Sequence, residues 1–253
     1  MPGYHHVDAV MGTAISIDVH DDVHGRPGLE AALRWFHHVD RTFSTYRPDS
    51  AVTRIGQGDL AVEDGSDEVR EVLARCDELR EHTAGAFDVW AVPAPNGTCL
   101  DPSGFVKGWS VEVAAGLLEA EGLTSFCINA GGDVLVRGAP TDAPAWRVGI
   151  RDPQASDRLA TVVALVGRGA VATSGTYERG AHLVDPRTGS RPADIASATV
   201  IGPDLGVADA LSTALFVLGV DGLDWLAAEP GYDGIVVTHD GRVLRPRVAA
   251  GTR

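Results

Sequence analysis

Asp209 and Thr213 stand four residues apart in an apolar run whose spacing predicts a helix through about Leu218, so a carboxylate and a hydroxyl share one helical face, with Ser212 beside them. Carboxylate, hydroxyl and backbone oxygens are the hard donors that Mg²⁺ accepts. The spacing puts Asp209 in the first turn, where the helix dipole keeps it ionised. The plainer reading is that Asp209 and Ser212 cap and decorate an apolar helix. Much earlier in the chain, a turn carrying Asp101, Pro102 and Gly104 delivers Lys107 near the start of another predicted helix, which runs to about Gly122. A strand then ends at Asn129, before Gly131, Gly132 and Asp133. Turn, helix, strand and glycine pair mark a place where backbone comes close to a ligand. A third group is His182 with Asp185, Pro186, Thr188 and Gly189 in a turn-prone stretch. That imidazole reads either as a structural histidine or as a proton acceptor near neutral pH.

The surroundings narrow the chemistry. Lys107 is followed by Gly108 and Trp109 rather than Ser or Thr, and no G-x-x-x-x-G-K frame precedes it, so the segment is not a P-loop. A dinucleotide-binding fingerprint is absent too. Met11, next to Gly12, reads as core or as a polarizable side chain lying on an aromatic ligand. Tyr46 and Arg47 read as loop surface, or as a pair that stacks on a ring and contacts phosphate. Asp88, just after Phe87, reads first as the cap of a turn. With 21 basic and 35 acidic residues the formal charge is −14. Such a field repels nucleic-acid phosphates and anionic membranes, and an anionic ligand would need a local cation or metal.

These residues need a frame. A chain of 253 residues with 44% hydrophobic side chains can bury a full core. No repeat, low-complexity tract or clear linker divides it, so residues 1–253 are read as one domain. Helical spacing runs over 26–42 and 66–83, Gly85 suits a C-cap, and Pro48, Asp49 and Ser50 mark a turn and the cap of a following helix. Strands are expected over 10–19, up to Asn129, and over 146–153, 159–167, 169–175 and 197–202, with a hairpin at 233–246. Short β-branched runs between turns favour an antiparallel or mixed sheet over a βαβ alternation. Cys76, Cys99 and Cys127 lack paired spacing and read as core filler in a reducing compartment. The N-terminus lacks a signal-peptide pattern and no run reaches about 18 apolar residues, so the expectation is a cytoplasmic protein without a membrane span.

Eight segments carry a resemblance that covers nearly the whole chain: Met11-Gly12-Thr13, FSTYRPDS, GAFD, DPSGFVKGW, NAGGDV, ATSGTYER, HLVDPRTG and ADALSTALFVLG. In order and spacing they resemble the ApbE-like FAD:protein FMN transferases. The resemblance implies an α+β single domain of mixed or antiparallel sheets flanked by helices, related to the T-fold, with FAD in a cleft between the layers. It also implies a Mg²⁺-dependent enzyme that cleaves the FAD pyrophosphate, transfers FMN to a Thr or Ser hydroxyl of an acceptor flavoprotein, and releases AMP. By motif position, Met11, Tyr46, Ala86, Phe87, Asp88, Asp101, Lys107 and Leu183 contact FAD. The Gly104 carbonyl, Asp209 and Thr213 hold the metal, with Ser212 a further candidate. His182 matches the general base, and its spacing to Asp185 suggests that Asp185 orients it. The chain departs from its relatives in carrying Gly56 where Asn is common, and in a short, Pro-rich segment between Asp88 and Asp101. Two rival readings are an FAD pyrophosphatase, in which water replaces the hydroxyl, and a non-catalytic FAD-binding or carrier protein. Retention of Asp209, Thr213 and His182 speaks against the carrier.

Overall fold

The strand-forming runs assemble mainly into one antiparallel sheet in a computed structural model that describes residues 3–94, 97–176, 184–190, 192 and 194–246. The strands are β1 (Tyr4–Val10), β2 (Thr13–Val19), β3 (Val92–Ala94), β4 (Gly97–Cys99), β5 (Phe126–Ala130), β6 (Asp133–Arg137), β7 (Trp146–Asp152), β8 (Ala155–Leu165), β9 (Gly169–Gly175), β10 (Ile195–Gly202), β11 (Asp233–Thr238) and β12 (Val243–Leu244). The helices are α1 (Leu29–Phe43), α2 (Ala51–Gln57), α3 (Asp67–His82), α4 (Ser103–Ala120), α5 (Leu205–Leu218) and α6 (Gly222–Leu226). Eight strands form the main sheet in the order β1-β2-β5-β6-β9-β10-β11-β12, while β3–β4 and β7–β8 are separate hairpins.

Side-chain alternation assigns the two faces of the sheet. Ile128, Leu135, Ala170 and Ala172 pack into a core with residues of α1, α4 and α5. Their neighbours Val134, Val136 and Val171 point the other way, onto Trp146, Val148 and Ile150 of the β7–β8 hairpin. Coverage on both faces explains why β6 and β9 are buried at every position. A register slip of one residue would exchange the two cores.

Helix α5 is buried along nearly its whole length and packs on α4, β9 and β10. Its crossing with α4 is close because two glycines meet there. A Cβ added at Gly108 would lie 2.3 Å from the Leu205 carbonyl oxygen, and one at Gly206 would lie 3.1 Å from the Trp109 nitrogen. Polar bonds fix the same crossing. The Leu205 N–H donates to Glu112 Oε1 at 2.8 Å, and Arg137 Nη2 of β6 donates to Glu112 Oε2 at 2.8 Å. Burial pushes the Glu112 carboxyl up from its ordinary value, against the pull of the Leu205 N–H and of Arg137.

Several boundaries differ from expectation for local reasons. The expected strand 10–19 is a β1–β2 hairpin whose two-residue turn puts Met11 at φ 56° and Gly12 at φ 70°; β1 escaped notice because its histidines blur the alternation. Helix α4 begins at Ser103, so Gly104 and Lys107 lie inside its opening turns rather than ahead of them. Asp209 is not in the first turn of α5: the cap is Asp204, whose carboxylate accepts from the Val207 N–H at 2.8 Å. Cys76 is buried, as expected of core filler, but Cys99 is exposed; burial pushes the thiols of Cys76 and Cys127 up to about 12. The stretch Leu205–Leu226 is long and apolar enough by composition to cross a membrane, contrary to the reading that no stretch is, and 67% of its most apolar window is buried inside the protein.

Gly108→Val should lower stability by about 1–3 kcal/mol through overpacking at the α4–α5 crossing. Gly116→Ala in the same helix, where an added Cβ meets nothing within 4 Å, should raise it by about 0.5–1 kcal/mol. Urea unfolding of the two variants checks this, and equal effects at both positions would contradict the close crossing.

Candidate functional site

The α4–α5 crossing sets two oxygen-bearing segments against each other. Gly104, in the opening turn of α4, faces Thr213 on α5: a Cβ added at Gly104 would lie 3.4 Å from Thr213 Oγ1 and 3.4 Å from the Phe87 ring. Gly104 thus stands at van der Waals distance from the α5 hydroxyl. One helical turn before Thr213, the Asp209 side chain is only 4% exposed. Behind Thr213, the Ser212 hydroxyl donates to the Asp209 carbonyl at 2.8 Å and lies 2.8 Å from Ser174 Oγ of β9. Ser174 Oγ is also 3.3 Å from Thr213 Oγ1. The α5 face and the end of β9 thus form one hydroxyl cluster beside a carboxylate.

A cleft of about 120 Å³ opens over this cluster and collects eight of the expected residues: Ala86, Phe87, Asp88, Asp101, Gly104, Lys107, Asp209 and Thr213. Ser212 stands behind that wall, fully buried. Asp101 Oδ1 accepts from the Ser103 N–H at 2.9 Å, which pins the turn into α4. Asp88 Oδ1 accepts from the Trp90 N–H at 2.9 Å, so the turn-capping reading of Asp88 holds and the residue also lines the cleft. Between Val184 and Pro186, which line the cleft, Asp185 accepts from Arg187 Nε at 2.8 Å and Nη2 at 2.9 Å. The Arg187 hydrogen bond holds the Asp185 carboxyl below its ordinary value. His182 and Leu183 lie outside the described residues, and so does any contact between His182 and Asp185; the partner that Asp185 shows is Arg187.

Two of the expected contacts fall outside this cleft. Tyr46 is 88% exposed. Met11 is half-buried, with Ser110 Oγ 3.8 Å from its sulfur, while its neighbours Gly12 and Thr13 line a second cavity.

Two functional side chains went unassigned in the sequence. Asp133, 1% exposed, ends the Asn129–Asp133 turn and holds Lys107 Nζ at 2.6 Å, while its other oxygen accepts from the Thr173 N–H at 3.0 Å. The turn itself is packed: Gly131 has φ 64°, and a Cβ there would strike Thr13 Oγ1 at 2.4 Å. The turn thus positions an anchor for the cleft's lysine. Ser174 was the other; its motif was visible, but no spacing within one element could tie it to α5.

Among the described residues no three His, Cys, Asp or Glu side chains converge. The donor set is instead one buried carboxylate with hydroxyls and a nearby helix backbone, which suits a hard cation such as Mg²⁺ and not a soft metal. Lys107, which lines the same cleft, adds fixed positive charge to a chain whose overall charge is −14.

The chain is similar to proteins already known. The sequence profile of the ApbE family matches residues 11–97 and 90–236. A Treponema pallidum protein named FAD:protein FMN transferase is 36% identical over 220 residues, covering 78% of this chain and 59% of the relative. A Vibrio cholerae protein of the same name is 34% identical over 130 residues, 47% of this chain and 39% of the relative. The chain thus spans little more than half the length of one and less than half of the other. Among solved structures, the ApbE protein of Thermotoga maritima superposes with a TM-score of 0.81 at 25% identity, covering 96% of this chain and 97% of that one. The apo flavinyl transferase ApbE of Pseudomonas stutzeri gives 0.78 at 25% identity, over 96% and 94%.

Lys107 and Asp133 form a largely buried pair, so removing one partner strands the other. Lys107→Met should cost about 3–5 kcal/mol of stability, and adding Asp133→Leu to it should restore most of that loss. Urea denaturation of the single and double variants reads this directly; a single variant within about 0.5 kcal/mol of the parent would show that the pair is not formed.

Proposed function

This chain belongs to the ApbE family, and from that premise we propose that it is a Mg²⁺-dependent FAD:protein FMN transferase. The observation that carries the proposal is the convergence of Asp209, Thr213, Gly104 and Lys107 on one cleft. In the proposed reaction a Ser or Thr hydroxyl oxygen of an acceptor flavoprotein attacks the FMN phosphorus of FAD. The new O–P bond forms as the bond from that phosphorus to the AMP oxygen breaks, and AMP leaves with the electron pair. The hydroxyl proton passes to a base, a role this reading gives to His182.

The residues of the cleft divide this work. The Lys107 ammonium, held by Asp133, offsets negative charge on the pyrophosphate without having to reorganise during the reaction. Asp209, Thr213 and the Gly104 carbonyl are the groups that would hold Mg²⁺, and Ser212 and Ser174 fix the Thr213 side of that set. Mg²⁺ bound there would neutralise phosphate oxygens and stabilise charge on the departing AMP. Ala86 and Phe87 supply an apolar wall, and Asp88 and Asp101 supply acceptors for the donors of a nucleotide or flavin ring. Asp185, three residues after the position given the role of base, clamps Arg187.

Mass spectrometry of candidate flavoproteins incubated with FAD and Mg²⁺ tests the reading. The expected result is a covalent gain of FMN on Thr or Ser, with matching AMP release. AMP and FMN released at full rate without an acceptor would identify a pyrophosphatase instead, and FAD binding without turnover would identify a carrier. Asp209→Asn should lower AMP release at limiting Mg²⁺ by at least about a hundredfold; unchanged release would refute the metal assignment.

A further inference from the structure

The cleft does not account for a second, larger cavity on the other face of the sheet. A groove of about 830 Å³ runs between the outward face of β5–β6, at Asn129 and Val136, and the β7–β8 hairpin. Its hairpin wall carries Arg147, Arg151 and Arg158, all exposed, with exposed Leu159 alongside. Asp157 also lines it. The groove and the FAD cleft share two residues, Lys107 and Thr173, so the groove ends where the reaction is proposed to occur.

Three features point to one occupant. The hairpin's three arginines outnumber its two aspartates, Asp152 and Asp157, a local reversal of sign in a chain of 21 basic and 35 acidic residues, so an acidic partner is repelled by the net charge and drawn to this groove. Leu159, 60% exposed, adds apolar surface that a small free anion would not use, and arginine beside aliphatic side chains suits a polypeptide contact. The groove shares Lys107 and Thr173 with the cleft, so a chain lying along it reaches the proposed reaction centre. We propose that this groove docks an acidic segment of the acceptor polypeptide, which enters along the β7–β8 hairpin and presents its Ser or Thr hydroxyl at the Lys107 end. The proposal rests on the transferase reading, and the experiment below reads docking separately from turnover.

Two fluorescein-labelled dodecapeptides, each with one central Thr, flanked in one case by Asp and in the other by Lys, serve as probes. Their binding to the full chain is followed by fluorescence anisotropy, and FAD binding is measured in parallel. The parent should bind the Asp peptide at least about tenfold more tightly than the Lys peptide, and the preference should weaken with added salt. Arg147→Glu/Arg151→Glu should lose at least about tenfold for the Asp peptide and gain for the Lys peptide, with FAD affinity kept within about twofold. A merely structural role for these arginines would not reverse the charge preference. Equal binding of the two peptides, no binding of either at millimolar concentration, or a loss of FAD affinity in place of peptide affinity would each overturn the proposal. Failure of the parent to release AMP from FAD counts against the transferase reading and leaves this comparison intact.

Discussion

The close crossing of α4 and α5 is the constraint on which the rest of the site depends. Gly108 and Gly206 let the two helices approach until backbone nearly touches backbone, and Glu112 ties the start of α5 to α4 and to Arg137 of β6. Once that distance is set, Gly104 on α4 stands against Thr213 on α5, one turn from Asp209, and the proposed cation would sit among them. Replacing either contact glycine would move the oxygens apart before it touched any group with chemistry of its own. The site therefore inherits its precision from packing between rigid helices and not from its loops.

Electrostatics follows the same frame. The formal charge of the chain is −14, so an anionic substrate of the proposed kind would need fixed positive charge inside the protein. Lys107 provides it, and Asp133 holds that lysine from the end of a strand already anchored on both faces of the sheet. The cost is a buried carboxylate next to a cation that the substrate must also use. Such a pair is weak support for stability but strong support for position, because either partner alone would be a stranded charge.

Much of this was legible in the sequence, and the parts that were not share a cause. The apolar run with Asp209 and Thr213 at i, i+4 identified both the helix and the face that bears the donors, because that relation is local. The turn at Asp101 and Gly104 was visible for the same reason, although α4 starts earlier than the glycine suggested. Asp133 and Ser174 were missed because their partners, Lys107 and the α5 hydroxyls, are supplied by other elements and no period within one segment encodes them. Tyr46 is recognisable by its motif, and its side chain stands in solvent outside the cleft. Residue type and local spacing identify donors, and tertiary packing decides which of them meet.

The central claim is that the crossing of α4 and α5 builds a single hard-cation site from Gly104, Asp209 and Thr213. Anomalous diffraction from crystals of the full chain grown with FAD and Mn²⁺, the more visible stand-in for Mg²⁺, tests it most directly. The account predicts an anomalous peak bonded to Asp209, Thr213 and the Gly104 carbonyl oxygen. A fully occupied peak elsewhere in the cleft, or FAD bound in order with no metal at these three residues, would contradict it.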